Sequence, residues 1–524
     1  MADVRFPYTF PHTFSTAEPP DYTLEIDWDE DGFGTDEADH VTEHTFNVTY
    51  SRGRDNVSSL TGRSSAGKLS ALLNNESDIY SPFNSSGALY GKLLPGKPVR
   101  LVDRNYAPAL ALWTGRLKSI TPMPRPGGPN VARIEAVGNL GFIAAREVLV
   151  EMQTTRRTDQ AIGDVLDDTG WASGDRNLSE GKTTLTRCWA EGRALDAIRQ
   201  IETAEGGFLK EDRDGDIAFE DRHYRMTTAT SYTSQKTFSD ASGASLTYTA
   251  LEEVDPLPFI FNDFRAEVRQ YTVGSVAVLW TLGETGASSP LIGVGQSRTF
   301  YAQFPNPQSD TEALAVNAWT TLVENTDYEA NSASDGSGTD LSGSLTITLT
   351  KTSNQIAITI VNDHASLGAY ITKLQARGTP VTGSDPALII AQDSTSQTSF
   401  EKRTWPAPTP WIPDTEEALD WATYNLSIHK DPIPMLRMSF VPRKDAAHKA
   451  ALTGLDLSYR ITLTANDPAG LGINEDFIIE RMEHEIRASG EERATLTLSP
   501  ASSYSGFWSL SVGDKLGTSS RLAY

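Results

Sequence analysis

The residues whose spacing could support metal chemistry lie in one acidic segment near the start of the chain. Asp27, Asp29 and Asp31 alternate and a glycine follows them, which matches the first half of a calcium loop of the EF-hand type. In that register Thr35 takes the ninth position and Ala38 the twelfth, where the loop needs a bidentate Glu. The sequence also predicts no flanking helices. An acidic turn after a strand is therefore the favoured interpretation, and a calcium site is the alternative.

Other side chains that could do chemistry do not form a recognisable site. Asp212, Asp214 and Asp216 also alternate, but Ile217 stands where a calcium loop needs glycine. Cys188 is the single cysteine, which excludes an internal disulfide and predicts a small buried apolar residue. Serine-hydrolase, zinc-protease and phosphate-loop motifs are missing from the sequence. We predict no catalytic residue, no metal or other cofactor, and no enzymatic activity.

The element around which the chain is organised is predicted at residues 184–225, as an amphipathic helix followed by a β-hairpin. The apolar positions of the helix recur about one turn apart and share one face: Leu195, Ile198 and Ile201. Two glycines end the helix, and Asp214 and Gly215 form the turn between strands 208–212 and 216–220. These five residues are predicted to be structural, and the unit is expected to bind no ligand.

Composition and charge narrow the class of protein. The chain has 524 residues, with 69 acidic against 45 basic side chains, so its formal net charge is -24. A general nucleic-acid or anionic-membrane binder would need a basic face. No stretch is long and apolar enough for a membrane-spanning helix, and the first residues do not look like a secretory signal. Synthesis in a cytoplasm and no membrane insertion are therefore expected.

The remaining pattern is that of a β-rich chain. Short alternating strands up to about residue 140 predict a small antiparallel barrel or sandwich. The pair 345–349 and 356–360 alternates in register and predicts a two-faced hairpin of an immunoglobulin-like sandwich. Asp414 or Thr415 is expected to cap a helix. Four closing strands are predicted at 435–440, 459–463, 477–483 and 494–498.

Several stretches, taken in order, resemble the tail-tip (baseplate) hub proteins of long-tailed bacteriophages, which are also called minor tail proteins. The stretches are LEIDWDEDG, DIYSPFNSSGALYGKLLPGKPVRLVD, TGRLKSI with ARIEAVGNLGFI, CWAEGRALDAIRQIETAEGGFLKEDRDGDIAFEDRHYR, FNDFRAEV, ITKLQARGTPV, EALDWATYNLSIHKDPIPMLRMSF, and FIIERMEHEI with ATLTLSP. Each motif is short, but their shared order covers most of the chain. The lysozyme and peptidase modules that some hubs carry are not recognisable here.

The resemblance implies a mainly β, multidomain fold with minor α content. Two small antiparallel β-barrel domains would flank a mixed α/β segment, and an immunoglobulin-like sandwich would be inserted in the second barrel. The implied division is 1–140 for the first barrel, 141–237 for the bridging helix-hairpin domain, 238–275 with 396–505 for the second barrel, 276–395 for the insert and its linker, and 506–524 for a C-terminal tail.

The resemblance also implies a function and partners. Such hubs are homotrimeric rings in the virion that close the distal end of the tail tube. The implied partners are a distal tail or tail-tube protein, the tape-measure protein and tail fibres or receptor-binding proteins. Viral DNA would pass during genome ejection without specific binding, and an acidic lumen would repel its backbone.

An alternative class is a multidomain carbohydrate-binding or carbohydrate-active β protein that contributes to host cell attachment. Its support is the aromatic content, with five tryptophans as candidate sugar platforms: Trp280, Trp319, Trp405, Trp411 and Trp421. Packing in a core or an interface is the other interpretation of these side chains.

Overall fold

The computed structural model describes residues 22–33, 41, 44–54, 63–104, 109–125, 129–254, 257–283, 286–304, 313–407, 411–466, 471–487, 490–504, 507–508 and 521–522. Within these ranges the chain is mainly β with minor α, which confirms the predicted fold class at this level. Positions Thr35 and Ala38 of the acidic segment, and most of the predicted 506–524 tail, lie outside the described residues.

The first part of the chain is β1 (Tyr22–Ile26), β2 (Thr45–Gly53), β3 (Lys68–Asn74), β4 (Pro98–Asp103), β5 (Leu110–Met123), β6 (Val131–Val137) and α1 (Asn139–Ile143). The middle part is β7 (Glu147–Arg157), α2 (Thr158–Asp168), β8 (Arg176–Leu178), β9 (Thr184–Arg193), α3 (Ala194–Glu205), β10 (Phe208–Glu211), β11 (Ile217–Glu220), α4 (Tyr224–Thr227) and α5 (Ala229–Tyr232).

The next part is β12 (Ser234–Ser239), β13 (Ala250–Val254), β14 (Asp263–Val268), β15 (Tyr271–Val273), β16 (Ala277–Thr281), β17 (Leu291–Ile292), β18 (Ser297–Gln303), β19 (Ala313–Trp319), β20 (Tyr328–Asn331), β21 (Leu345–Lys351), β22 (Gln355–Asn362), β23 (Ala369–Gly383) and β24 (Ala387–Gln392). The last part is α6 (Ser394–Phe400), β25 (Thr404–Ala407), α7 (Thr415–His429), β26 (Met435–Phe440), α8 (Ala446–Gly454), β27 (Arg460–Ala465), β28 (Ile473–Arg487), β29 (Glu492–Pro500), β30 (Phe507–Trp508) and β31 (Arg521–Leu522).

One twelve-stranded sheet dominates the structure. Its strands follow the order β1-β4-β5-β6-β3-β2-β28-β29-β26-β13, and β27 pairs with both β28 and β12. The N-terminal and C-terminal parts of the chain meet where β2 pairs antiparallel with β28. Tyr50 lies opposite His484 in this pairing. Burial alternates along β3, as expected for a sheet with one face on the core. Leu69, Ala71 and Leu73 are buried, while Lys68 is exposed.

The prediction of two barrels needs correction. Most described strands from both predicted barrel regions belong to this one sheet, which forms no closed barrel, while β14 pairs with β24 and β25 and β15 pairs with β23 in other sheets. The reason is the pairing of β2 with β28, which joins strands that would otherwise be the edges of two separate sheets. The predicted domain boundaries remain predictions.

The inserted region has two sheets around a shared apolar cluster. One is β18-β22-β21, and in the other β23 pairs with β15, β16, β17, β19 and β20. The predicted hairpin is confirmed, because Ile347 lies opposite Ile360 and Leu349 opposite Ile358. The buried side chains of the hairpin, Ile356, Ile358 and Ile360, pack against the second sheet. They belong to one apolar cluster with Ile371 and Leu374 of β23.

The middle region holds the predicted helix and hairpin, with one difference. Residues Thr184–Arg193, expected at the start of the helical unit, form β9, which pairs antiparallel with β7. Leu185, Cys188 and Ala190 of β9 are buried in one apolar cluster with residues of α2 and α3. The positions of the apolar residues in β9 therefore follow from its packing on these two helices. The helix near residue 415 is confirmed, and its cap is Asp414, whose carboxylate accepts the N–H groups of Glu416 and Glu417.

Candidate functional site

The helix-hairpin unit, defined here as α3 with β10 and β11, lies at the junction between the two ends of the chain. Ile198 and Ile201 are buried and Leu195 is half-buried, all in one apolar cluster with side chains of α2, β14 and α7. The helix ends at Gly206 in the left-handed conformation. At Gly207 a Cβ would lie 2.6 Å from the Glu220 carbonyl oxygen, so helix and hairpin approach closely there.

The turn of the hairpin contacts segments that lie far apart in the chain, at Asn139 and at Asp456. Gly215 has a φ of 88°, and its carbonyl oxygen accepts a hydrogen bond from the Asn139 side chain at 2.7 Å. The Asp214 N–H donates to the Asp212 carboxylate at 3.0 Å. On the opposite side, Arg213 lies 3.1 Å from the Asp456 carboxylate. Asp214 and Gly215 thus occupy an ordered turn held from two directions, while their structural role stays a prediction.

A buried ion cluster lies at the open end of the hairpin, where Arg54 and Arg225 contact the Phe208 ring. Arg225 donates to both oxygens of the Glu480 carboxylate, at 2.6 and 2.9 Å, and Arg54 donates to it at 2.7 Å. Burial alone would raise the pKa of Glu480, but the charges of Arg225 and Arg54 outweigh it and hold the pKa well below its usual range. Glu480 therefore stays ionised in the interior and joins β28, β2 and the segment after the hairpin.

A second, partly buried cluster has a similar arrangement. Asp456 accepts from Arg52 at 2.8 Å and from Arg213 at 3.1 Å. Burial opposes the ionised form of Asp456, yet Arg52 and Arg213 lower its pKa far below the ordinary value. Lys210 of the hairpin pairs with Glu220, and the Glu220 carboxylate also accepts from the Ser458 hydroxyl at 2.6 Å.

Carboxylates of the helix-hairpin unit also bind backbone N–H groups of other segments. Glu211 accepts from Gly67 at 2.7 Å and from Leu140. Burial raises the pKa of Glu211 to about 7 in spite of these donors. Glu205 accepts from the Thr158 hydroxyl at 2.7 Å and from the Thr183 N–H at 2.8 Å. Each of these carboxylates therefore accepts hydrogen bonds from N–H groups that have no backbone acceptor, and neither faces an open site.

The large sheet carries a groove on its polar face. Its volume is about 670 Å³ and it crosses the pairing of β2 with β28. The charged side chains in its lining are four bases and four acids: Lys68, Lys118, Arg437, Arg493, Glu135, Glu252, Glu483 and Glu485. Arg437 pairs with Glu483 at 2.6 Å, so part of this charge is neutralised within the groove.

The acidic segment folds as a turn. The carboxylate oxygens of Asp27, Asp29 and Asp31 lie within 4.8 Å of one another. Asp27 accepts the backbone N–H groups of Glu30, Asp31 and the following glycine, at 2.6 to 3.2 Å. The Lys92 ammonium donates to Asp29 at 2.9 Å, and this hydrogen bond lowers the pKa of Asp29. N–H groups and an ammonium thus occupy carboxylate oxygens that a cation would need.

The other candidates for chemistry are buried. Burial raises the pKa of the Cys188 thiol to about 12, so it holds its proton at neutral pH. His484 donates to or accepts from Glu492 at 2.7 Å and lies edge-on to Tyr22 and Tyr50.

The candidate sugar platforms also pack inside the protein. Trp319, Trp411 and Trp421 are buried, and Trp280 and Trp405 are half-buried. Trp319 and Trp421 donate to backbone carbonyl oxygens, at 2.8 and 3.1 Å. None of the helices in the described part of the chain has the length and apolar character needed to cross a membrane.

No protein-family model matches the chain, and no curated protein matches it. Solved structures that are similar to it include two tail proteins. The 43 kDa tail protein of prophage MuSo2 from Shewanella oneidensis is 8% identical with a TM-score of 0.46, over 92% of this chain and 99% of that chain. The tail protein from Neisseria meningitidis MC58 is 8% identical with a TM-score of 0.49, over 91% and 96%.

A third similar structure is the E. coli c3393 protein, a component of the type VI secretion system. It is 7% identical with a TM-score of 0.38, over 90% of this chain and 76% of that chain. Two of these three structures are tail proteins by name.

Proposed function

We propose that this chain is the structural hub of a bacteriophage tail tip. Three copies form a ring in the virion that closes the distal end of the tail tube, anchors the tape-measure protein and carries fibres or receptor-binding proteins. The ring opens for genome ejection. The sequence motifs, whose shared order covers most of the chain, are the starting point for this proposal. The role of the protein would be mechanical and not enzymatic.

The observation that carries the proposal is the buried joint between the two ends of the chain. Glu480 of β28 pairs with Arg54 at the end of β2 and with Arg225 after the hairpin. Removing one partner of a buried ion pair leaves an uncompensated charge, so the joint depends on all three side chains being present. A part that holds a tube closed needs such fixed contacts between its segments, whereas an enzyme needs accessible reactive groups.

The groove on the sheet is too small to be the passage for DNA. Its volume of about 670 Å³ is that of a small-molecule pocket, and its lining has as many basic as acidic side chains. In the proposed ring the passage lies between the three copies, and an acidic lumen that repels the DNA backbone stays a prediction.

The carbohydrate-binding alternative has less support. A sugar platform needs an exposed aromatic face, and three of the five candidate tryptophans are buried and two half-buried. We therefore keep a single proposed function.

Negative-stain microscopy of the purified protein tests the proposal. The expected particle is a ring with threefold symmetry and a central opening. Isolated compact particles without symmetry at micromolar concentration, together with binding to host glycans, would overturn it.

A further inference from the structure

The loop between β3 and β4 exposes the most accessible large apolar side chain of the described chain. We call residues 75–94 the Phe83 loop. Phe83 is 95% exposed, Tyr90 56% and Leu94 54%. Three exposed apolar side chains on one loop make the loop a candidate interaction surface.

This loop is built as a rigid support. Backbone hydrogen bonds recur at every third residue, from the N–H of residues 78, 81, 84, 87 and 90 to the carbonyl three residues earlier, at 3.0 to 3.2 Å. Asn75 is buried, and its side chain accepts the Tyr80 N–H at 2.9 Å. The loop therefore holds its exposed side chains in place before any partner binds, which reduces the entropy lost on binding.

The base of the loop is fixed to the main core. Tyr80, Leu89 and Leu93 are buried in the same apolar cluster as the large sheet. The Tyr80 hydroxyl contacts His44 Nδ1 at 2.9 Å, and Lys92 pairs with Asp29 of the acidic turn. The acidic turn thus supports the loop, which gives the alternating aspartates a role without a metal.

The charge pattern indicates the partner. Residues 79–91 contain no charged side chain, in a chain with a formal net charge of -24. Two copies of so acidic a chain repel each other, so a contact between them is favourable only where charge is scarce and apolar area is available. The Phe83 loop meets both conditions.

We infer that the Phe83 loop binds a second copy of this chain and forms a contact between subunits of the ring. A cyclic trimer uses a heterologous interface, so the loop of each copy contacts a different surface on the next one. The inference rests on the proposed trimer.

The test compares the double variant Phe83→Ser/Tyr90→Ser with Tyr301→Ser, which removes another exposed aromatic residue, 62% exposed, from the insert. Solution masses are measured by light scattering over a range of protein concentrations. A cyclic trimer contains this contact three times, so loss of a central aromatic residue from each should raise the protein concentration needed for assembly on the order of 100-fold. Tyr301→Ser and the apolar replacement Phe83→Leu should assemble like the wild type.

The outcomes separate this inference from the proposed function. If the wild type is a monomer at every concentration, both are overturned. If the wild type and the double variant form equally stable trimers, the loop assignment is wrong and the proposed hub stands. Equal weakening by Tyr301→Ser would also overturn the assignment. Urea unfolding checks that the double variant folds. At concentrations where both proteins are monomeric, its midpoint should match that of the wild type because Phe83 makes little contact within one chain.

Discussion

Arg225 donates to both oxygens of the Glu480 carboxylate, at 2.6 and 2.9 Å, and so links the segment after the hairpin to the centre of the large sheet. Both side chains are buried, and Arg54 completes the pairing from the other end of the chain. The pair therefore holds together residues that are far apart in sequence, and it is the contact whose loss should loosen the whole frame.

Replacing Glu480 by Gln should destabilise the protein strongly. The variant leaves Arg225 and Arg54 buried without their counter-charge, which costs about 3 to 5 kcal/mol in free energy of unfolding. Urea unfolding at one fixed protein concentration measures the change. The matched control is Glu491→Gln, which removes an exposed ion pair with Arg487 and should cost less than about 1 kcal/mol. Equal effects would show that the buried pair is not a structural joint.

The pH dependence of stability should carry the signature of Glu211. Its pKa in the folded protein is raised to about 7, from an ordinary value of 4.5. A raised pKa means that the folded state binds the proton more tightly. The contribution of Glu211 is therefore fully present below about pH 4.5 and is lost as the pH rises through about 7, on the order of 3 kcal/mol in total.

The measurement is the free energy of unfolding at pH 5 and pH 8, for the wild type and for Glu211→Gln. The wild type should be less stable at pH 8, and the variant should show a clearly smaller difference. Asp216, whose pKa is raised to about 6 by burial and by Asp212, contributes in the same direction in both proteins. An unchanged difference in the variant would contradict the assignment to Glu211.

The junction between α3 and the hairpin should not accept a side chain at Gly207. A Cβ there would lie 2.6 Å from the Glu220 carbonyl oxygen and 2.7 Å from the Phe219 ring. Gly207→Ala should cost about 1 to 3 kcal/mol, because the backbone must shift to relieve the overlap. Gly174→Ala, with no atom within 4 Å of the added Cβ, should change the stability by less than about 0.5 kcal/mol. Thermal unfolding of the two variants decides, and a tolerated alanine at 207 would mean that the junction is loosely packed.

Calcium should leave the protein unchanged. The Asp27 and Asp29 carboxylates already bind backbone N–H groups and the Lys92 ammonium. A site filled at 100 times its dissociation constant would stabilise the folded state by about 2.7 kcal/mol. The unfolding temperature in 1 mM calcium and in chelator should therefore agree. A clear rise with calcium, lost in Asp29→Asn, would restore the metal-site interpretation.

Local elements were predictable from the sequence because their patterns are local. The helix from Ala194 to Glu205 follows from apolar spacing, and its hairpin follows from the Asp214-Gly215 turn. The insert hairpin alternates in register, and the four closing strands appear at β26 to β29. In each case the residues that form the pattern lie within one short segment of the chain.

Long-range pairing was not predictable in the same way. The contact of β2 with β28 joins residues more than 400 positions apart, and nothing in either strand identifies the other. This is why two barrels were expected and one sheet is found. The ribbon of β7 and β9 was missed because Thr184–Arg193 is mostly polar and its buried side chains, Leu185, Cys188 and Ala190, do not alternate regularly.

The buried ion clusters were also outside the reach of the sequence. Glu480 and Arg225 are residue types usually found at the surface, and only the fold brings them together in the interior. The sequence did contain one indication of a buried charge. Glu480 directly follows the apolar run FII and lies on a predicted strand. A charge in a strand of that kind needs a buried partner or an edge position.

The solution mass of the purified full-length chain tests the central claim most directly. One copy has a mass of 57.1 kDa, so the proposed hub predicts a homotrimer of about 171 kDa by light scattering or native mass spectrometry at micromolar concentration. A stable 57.1 kDa monomer over the same concentrations would contradict the hub account.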